Sequence, residues 1–78
     1  MRDVIRSSIT ESKGKEPEYR ISVNGNISEE SYSLARIHEM LIKRTTAVSG
    51  KSYEQTKKDY LEALDVIIGN IHDAENEE

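Results

Sequence analysis

Tyr19, Ile21 and Val23 are apolar at every second position, whereas Tyr60, Leu64, Ile67, Ile71 and Ala74 recur at alternating intervals of four and three. A period of two belongs to a half-buried strand and a period near 3.6 to an amphipathic helix, so the chain must pass from strand to helix along its length. Ile5, Ser7 and Ile9 share one face of a first strand within residues 3–10, with Val4, Arg6, Ser8 and Thr10 on the other. The second strand carries Tyr19, Ile21 and Val23 on one face and Arg20, Ser22 and Asn24 opposite. Between them, Glu11 to Pro17 is a run of charges and helix breakers that reads as a loop, which makes the pair an antiparallel hairpin with a long tip.

Asn24-Gly25 is a type I′ turn signal that would launch a third short strand, but a helix start follows too closely for one to form. Ser28 before Glu29 and Glu30 places a capping hydroxyl and two carboxylates at a positive helix end, and Ile27 with Tyr32 has the spacing of a hydrophobic staple. The first helix is predicted from about Glu29 to Thr46. Its main stripe is Leu34, Ile37, Leu41 and Val48, flanked by Met40, while Ala35 and Ile42 lie on a second face. Two apolar faces require two contacts, one with the hairpin and one with the second helix or another subunit. Gly50 ends the first helix. Ser52-Tyr53-Glu54-Gln55 has the S-x-x-Q form of a capping box and opens the second. Gly69 either terminates that helix or lies inside it at a close contact, and the acidic run from Asp73 is expected to fray because carboxylates oppose the helix dipole at a C-terminus. The expected architecture is α+β: an N-terminal antiparallel β-hairpin packed on a two-helix hairpin (ββαα), one domain over residues 1–72, with 73–78 a disordered or frayed tail.

Size limits what such a domain can do alone. A chain of 78 residues buries only about 60–65% of the surface its unfolded form exposes. With 35% hydrophobic residues and no cysteine, neither a large core nor a disulfide holds it, so self-association into a dimer is expected. No apolar run reaches the roughly 20 residues that span a bilayer, and no signal-peptide pattern follows Met1. A cytoplasmic protein without membrane contact is the expectation.

Charge is distributed unevenly. Residues 1–25 and 26–51 each sum to +1 and residues 52–78 to −6, giving the net charge of −4. From Asp59 to Glu78 there are seven acidic residues and no Lys or Arg. Asp59, Glu62 and Asp65 project from the second helix away from its apolar seam, and such a one-signed face attracts basic surfaces and repels nucleic acid. These three residues are the candidate partner-binding site, and the partner expected is a protein with a basic surface.

No constellation demands a particular chemistry. Thr45 to Ser52 (TTAVSGKS) resembles the phosphate-binding loop G-x-x-x-x-G-K-[ST], but Thr45 stands at the first glycine and the chain is too short for the parallel sheet such a loop serves. The segment reads instead as a helix stop followed by a capped helix start, where Lys51 and Ser52 are a candidate anion contact. His38 and His72 have no partners at metal-ligand spacing, so no metal and no cofactor are expected. No serine is placed with a base and an oxyanion donor, and the carboxylates lie on a solvated face, so the chain is not expected to be an enzyme.

Two resemblances remain. Residues 18–70, a polar-faced strand followed by two helices, resemble the ribbon-helix-helix repressors, dimers that insert a two-stranded ribbon into the major groove. That resemblance implies base contacts from Arg20, Ser22 and Asn24 and backbone contacts from Lys51 and Ser52; the extra preceding strand, the long first helix and the acidic charge depart from it. In size and charge alone the chain is similar to phage-encoded anti-defence inhibitors, including anti-CRISPR proteins, which implies a non-catalytic regulator or inhibitor that occupies a surface of its target.

Overall fold

The computed structural model describes residues 1–76 and has the element order strand, strand, helix, helix. Strands β1 (Ile5–Thr10) and β2 (Glu18–Val23) form an antiparallel two-stranded sheet, followed by helices α1 (Ile27–Ser49) and α2 (Tyr53–Glu75). This is the ββαα arrangement of an α+β fold. The chain divides into two compact units, Met1–His38 and the remainder from Glu39, with α1 contributing to both.

In the first unit the register places Ile5 opposite Val23, Ser7 opposite Ile21 and Ile9 opposite Tyr19, with Arg6–Ser22 and Ser8–Arg20 on the other face. Alternation within each strand therefore agrees with the pairing between them, which is what fixes register in a hairpin. The tip turns through Gly14 at φ 79°, beside a hydrogen bond from the Lys15 N–H to the Ser12 carbonyl at 3.1 Å. The apolar face was expected to be half-buried. It is open instead: Tyr19 and Ile21 are each 68% exposed, and Val23 and Ile9 are exposed as well.

Contacts between hairpin and helix gather at the hairpin's open end. The Asn24 N–H donates to the Val4 carbonyl at 2.7 Å, and Arg2 donates to the Asn24 carbonyl at 2.8 Å and to the Glu29 carboxylate. Neither Asn24 nor Gly25 has a positive φ, so the turn there is not type I′ and no third strand follows. Gly25 is instead required by proximity, since an added Cβ would lie 2.9 Å from Glu29 Oε1 and 3.2 Å from Val4 Cγ1. The helix cap also differs from expectation. Asn26, not Ser28, caps α1: its Oδ1 accepts from the Glu29 N–H at 2.8 Å, and its own N–H donates back to Glu29 Oε1 at 3.0 Å. An Asn at the cap and a Glu three residues on satisfy two orphan donors reciprocally, which moves the helix start two residues earlier.

In the second unit α1 ends at Gly50, whose φ of 75° is a left-handed conformation that glycine adopts without penalty. Ser52 caps α2 as the sequence predicts, its Oγ accepting from the Gln55 N–H at 3.1 Å. The turn sets the last turns of α1 beside the first turns of α2, where Thr45, Ser49, Thr56, Tyr60 and Ala63 line one cavity. Ile42 is the only buried apolar residue among those described, at 4% exposure. The face that the chain buries is thus the minor one of Ile42, while Leu34, Ile37 and Val48 of the main stripe remain exposed. Helix α2 continues through Gly69, which removes the reading of that glycine as a stop. Asp73 and Glu75, expected in a frayed tail, lie in the last turns of α2; Glu77 and Glu78 lie outside the described residues. No helix among the described residues is long and apolar enough to cross a membrane.

Candidate functional site

The sequence candidates fall into three places. Glu62 and Asp65 are exposed on α2, one turn apart, and neither enters an ion pair among the described residues. Asp59 behaves differently. Its two carboxylate oxygens are divided between two donors, Oδ2 accepting from Lys51 Nζ at 2.9 Å and Oδ1 from Gln55 Nε2 at 2.8 Å. The bond from Lys51, then that from Gln55, holds the Asp59 carboxyl below its ordinary value of 3.8. Half-buried and doubly bonded, Asp59 sits at the edge of the acidic face and is locally neutralised.

The same bonds define Lys51 and Ser52. The Lys51 ammonium is committed to Asp59 and the Ser52 hydroxyl to the Gln55 N–H, so the candidate anion contact already contains an internal anion. Thr45 to Ser49 are helical, so no strand leads into the Gly50-Lys51-Ser52 turn as a phosphate-binding loop requires. The cavity beside this turn, about 280 Å³, is lined by Thr45, Ser49, Lys51, Thr56, Asp59, Tyr60 and Ala63. Thr56 is the one buried polar residue among those described, and its hydroxyl donates to the Ser52 carbonyl at 2.9 Å. With the hydroxyls of Thr45, Ser49, Ser52 and Thr56 and the carboxylate of Asp59 engaged in local structure, the arrangement is a helix-start clasp.

Arg20 and Ser22 are exposed on the polar face of β2, opposite Ser8 and Arg6 of β1. Arg6 is held by Asp3 at 2.9 Å. Asn24 lies beyond the strand, its N–H and carbonyl both engaged at the base of the hairpin. A second cavity of about 350 Å³ lies there, lined by Met1, Arg2, Asp3, Arg6 and Asn24. Sequence reasoning missed the roles of Arg2 and Gln55. Their bonds run to Glu29 and Asn24 in one case and to Asp59 in the other, pairs that only folding brings into reach or that helical spacing alone leaves unspecified. Glu29 carries a lowered pKa from its backbone hydrogen bond at Asn26 and from Arg2.

No group of three or more potential metal-ligating side chains converges among the described residues. No protein family, curated protein or solved structure matches the chain.

Proposed function

We propose that this protein is a non-catalytic binding module that regulates or inhibits a partner protein by occupying a basic surface of it. The observation that carries the reading is the exposed carboxylate pair Glu62 and Asp65 on a helix with no Lys or Arg after Lys58. Such a face raises the rate at which a basic surface is encountered and excludes competing polyanions. Asp59 contributes less than its charge, because Lys51 already balances it. The kind of target, including the anti-defence role that small acidic proteins of this size suggest, is part of the proposal.

Capture of partners from a lysate of the source organism, with the wild type and with Glu62→Lys/Asp65→Lys in parallel, tests it. The expected result is a basic protein retained by the wild type and lost from the variant, with association slowed about tenfold or more at low salt. Equal capture by both reduces the acidic face to a solubility device.

A second reading has one supporting feature: Arg6 and Arg20 lie on the same face of the hairpin with Ser8 and Ser22. On that reading the ribbon enters DNA as in the ribbon-helix-helix repressors, although here β2 pairs with β1 of its own chain. Tight binding to a defined duplex, falling steeply with salt and weakened by Arg20→Ala, would favour it over the first.

A further inference from the structure

Asn24 followed by Gly25 is a chemically reactive pair as well as a turn sequence. The amide nitrogen of a residue after asparagine can attack the asparagine Cγ and close a succinimide ring, and glycine, having no side chain, leaves that approach open. Both groups are available here. Asn24 and Gly25 are exposed, and among the described residues neither the Asn24 side-chain amide nor the Gly25 N–H makes a hydrogen bond. The other asparagines are differently placed. Asn26 spends its Oδ1 on the α1 cap and precedes β-branched Ile27, Asn70 lies inside α2 before Ile71, and the Asn76 side chain donates to the His72 carbonyl at 2.8 Å.

What the fold adds is Arg2. Its Nη1 donates to the Asn24 main-chain carbonyl at 2.8 Å, while its Nη2 is held by the Glu29 carboxylate. The Asn24 carbonyl and the Gly25 N–H belong to one conjugated peptide unit, so the negative charge left when the nitrogen gives up its proton is shared with the oxygen that Arg2 faces. A donor already positioned where charge develops lowers the barrier to its formation. The Glu29 carboxylate stands close to Gly25 and opposes that charge, but it is itself paired with the other arm of the same guanidinium.

We propose that Asn24-Gly25 is a self-modification site at which Arg2 promotes ring closure and directs ring opening. The Gly25 nitrogen loses its proton to solvent and bonds to Asn24 Cγ; the Cγ–Nδ2 bond breaks, and the leaving nitrogen takes up a proton to depart as ammonia. Water then adds to one imide carbonyl, and the bond from that carbon to the Gly25 nitrogen breaks as the nitrogen regains a proton. Opening at Cγ gives aspartate at position 24. Opening at the main-chain carbonyl gives isoaspartate, in which the chain continues through the former side chain and the freed carboxylate stands where Arg2 donates. Arg2 polarises that carbonyl and pairs with the carboxylate it becomes, so isoaspartate is the favoured product. The net change is one water consumed and one ammonia released. An extra methylene thereby enters the main chain between β2 and α1, where Gly25 is closed in by Glu29 and Val4, and a new negative charge appears beside Arg2 and Arg6. No residue of the acidic face takes part, so the site is independent of the binding reading.

Incubation of the full chain in water enriched in heavy oxygen, followed by peptide mass spectrometry that separates aspartate from isoaspartate, tests the proposal. Asn24 is expected to convert to both products with the heavy oxygen incorporated, while Asn26 and Asn70 stay intact over the same interval. Arg2→Ala should slow the loss of Asn24 by about 3- to 10-fold, the effect of one charge-assisted hydrogen bond at an exposed position, and should lower the ratio of isoaspartate to aspartate. Arg2→Lys, which keeps the charge without the fork, should give an intermediate ratio and serves where Arg2→Ala impairs folding. Asp3→Ala removes a different ion pair at the hairpin base and should leave rate and ratio unchanged. The ratio separates chemistry from structure, because a hairpin merely loosened exposes both imide carbonyls alike. A ratio that both Arg2 variants leave at the wild-type value overturns the proposal whatever the rate does. So do aspartate as the sole product, which means direct hydrolysis, and conversion at Asn24 no faster than at Asn26.

Discussion

Lys51, in the turn between the helices, reaches past a full turn of α2 to place its Nζ 2.9 Å from Asp59 Oδ2. The contact joins the residue that would hold an anion to a residue counted as part of an acidic docking face, and so weakens both assignments at once. What remains on the acidic side is Glu62 with Asp65.

Charge reversal should separate these roles. Glu62→Lys with Asp65→Lys is expected to change unfolding free energy by no more than about ±0.5 kcal/mol, as exposed substitutions usually do. Adding Asp59→Lys should lower the melting temperature further, because it sets a cation beside Lys51 and removes the acceptor of the Gln55 amide. Thermal melts followed by circular dichroism compare the two directly; an equal melting temperature would mean that the clasp contributes nothing.

The cap assignments are equally accessible. Asn26→Ala should destabilise the fold by about 1 kcal/mol and Ser28→Ala by much less, since Asn26 makes the reciprocal bonds with Glu29. Ser52→Ala should cost a similar ~1 kcal/mol at the start of α2. Urea titrations measure all three, and a larger loss at Ser28 would restore the cap that the sequence alone suggests.

Gly69 offers a test in the stabilising direction. It lies inside α2, and an added Cβ meets no atom within 4 Å. Gly69→Ala should therefore raise stability by about 0.5–1 kcal/mol through helix propensity alone. A loss of stability would mean that something packs against this position when the protein is assembled.

Acid should loosen both units. Glu29 and Asp59 have folded-state pKa values below their ordinary 4.5 and 3.8. A depressed carboxyl binds its proton more readily in the unfolded chain, so its stabilisation is present above the ordinary value and lost as pH falls through the lower folded one. Melting temperature should hold steady near neutrality and decline once pH drops below 4.5. Glu29→Gln should remove part of that decline, and an unchanged pH profile in this variant would exclude Glu29 as a source.

Element order, the strand faces, the Ser52 cap and the stop at Gly50 could all be read from the sequence because each rests on residues within a few positions of one another. The alternation of Ile5, Ser7 and Ile9 and of Tyr19, Ile21 and Val23 gives the two faces, and the pairing puts these residues on the same one. Burial could not be read the same way. Leu34, Ile37 and Leu41 form the stronger stripe of α1, yet Ile42 is the residue that the turn at Gly50 brings under cover. A periodic pattern says which side of a helix avoids water and leaves open which neighbour provides the cover. The acidic face was legible as a sum of charges, whereas the capture of Asp59 by Lys51 depends on the turn between them.

The spacing of the chain's own bonds bears on how it folds. β1 and β2 are joined through a seven-residue loop, and α1 and α2 through Gly50-Lys51-Ser52. The bond between Arg2 and Glu29 closes over 27 positions. Chains whose contacts close over short loops pay little entropy for each and fold within microseconds to milliseconds. Refolding of the chain should then finish within that range as a fast phase, which stopped-flow fluorescence of its tyrosines would follow.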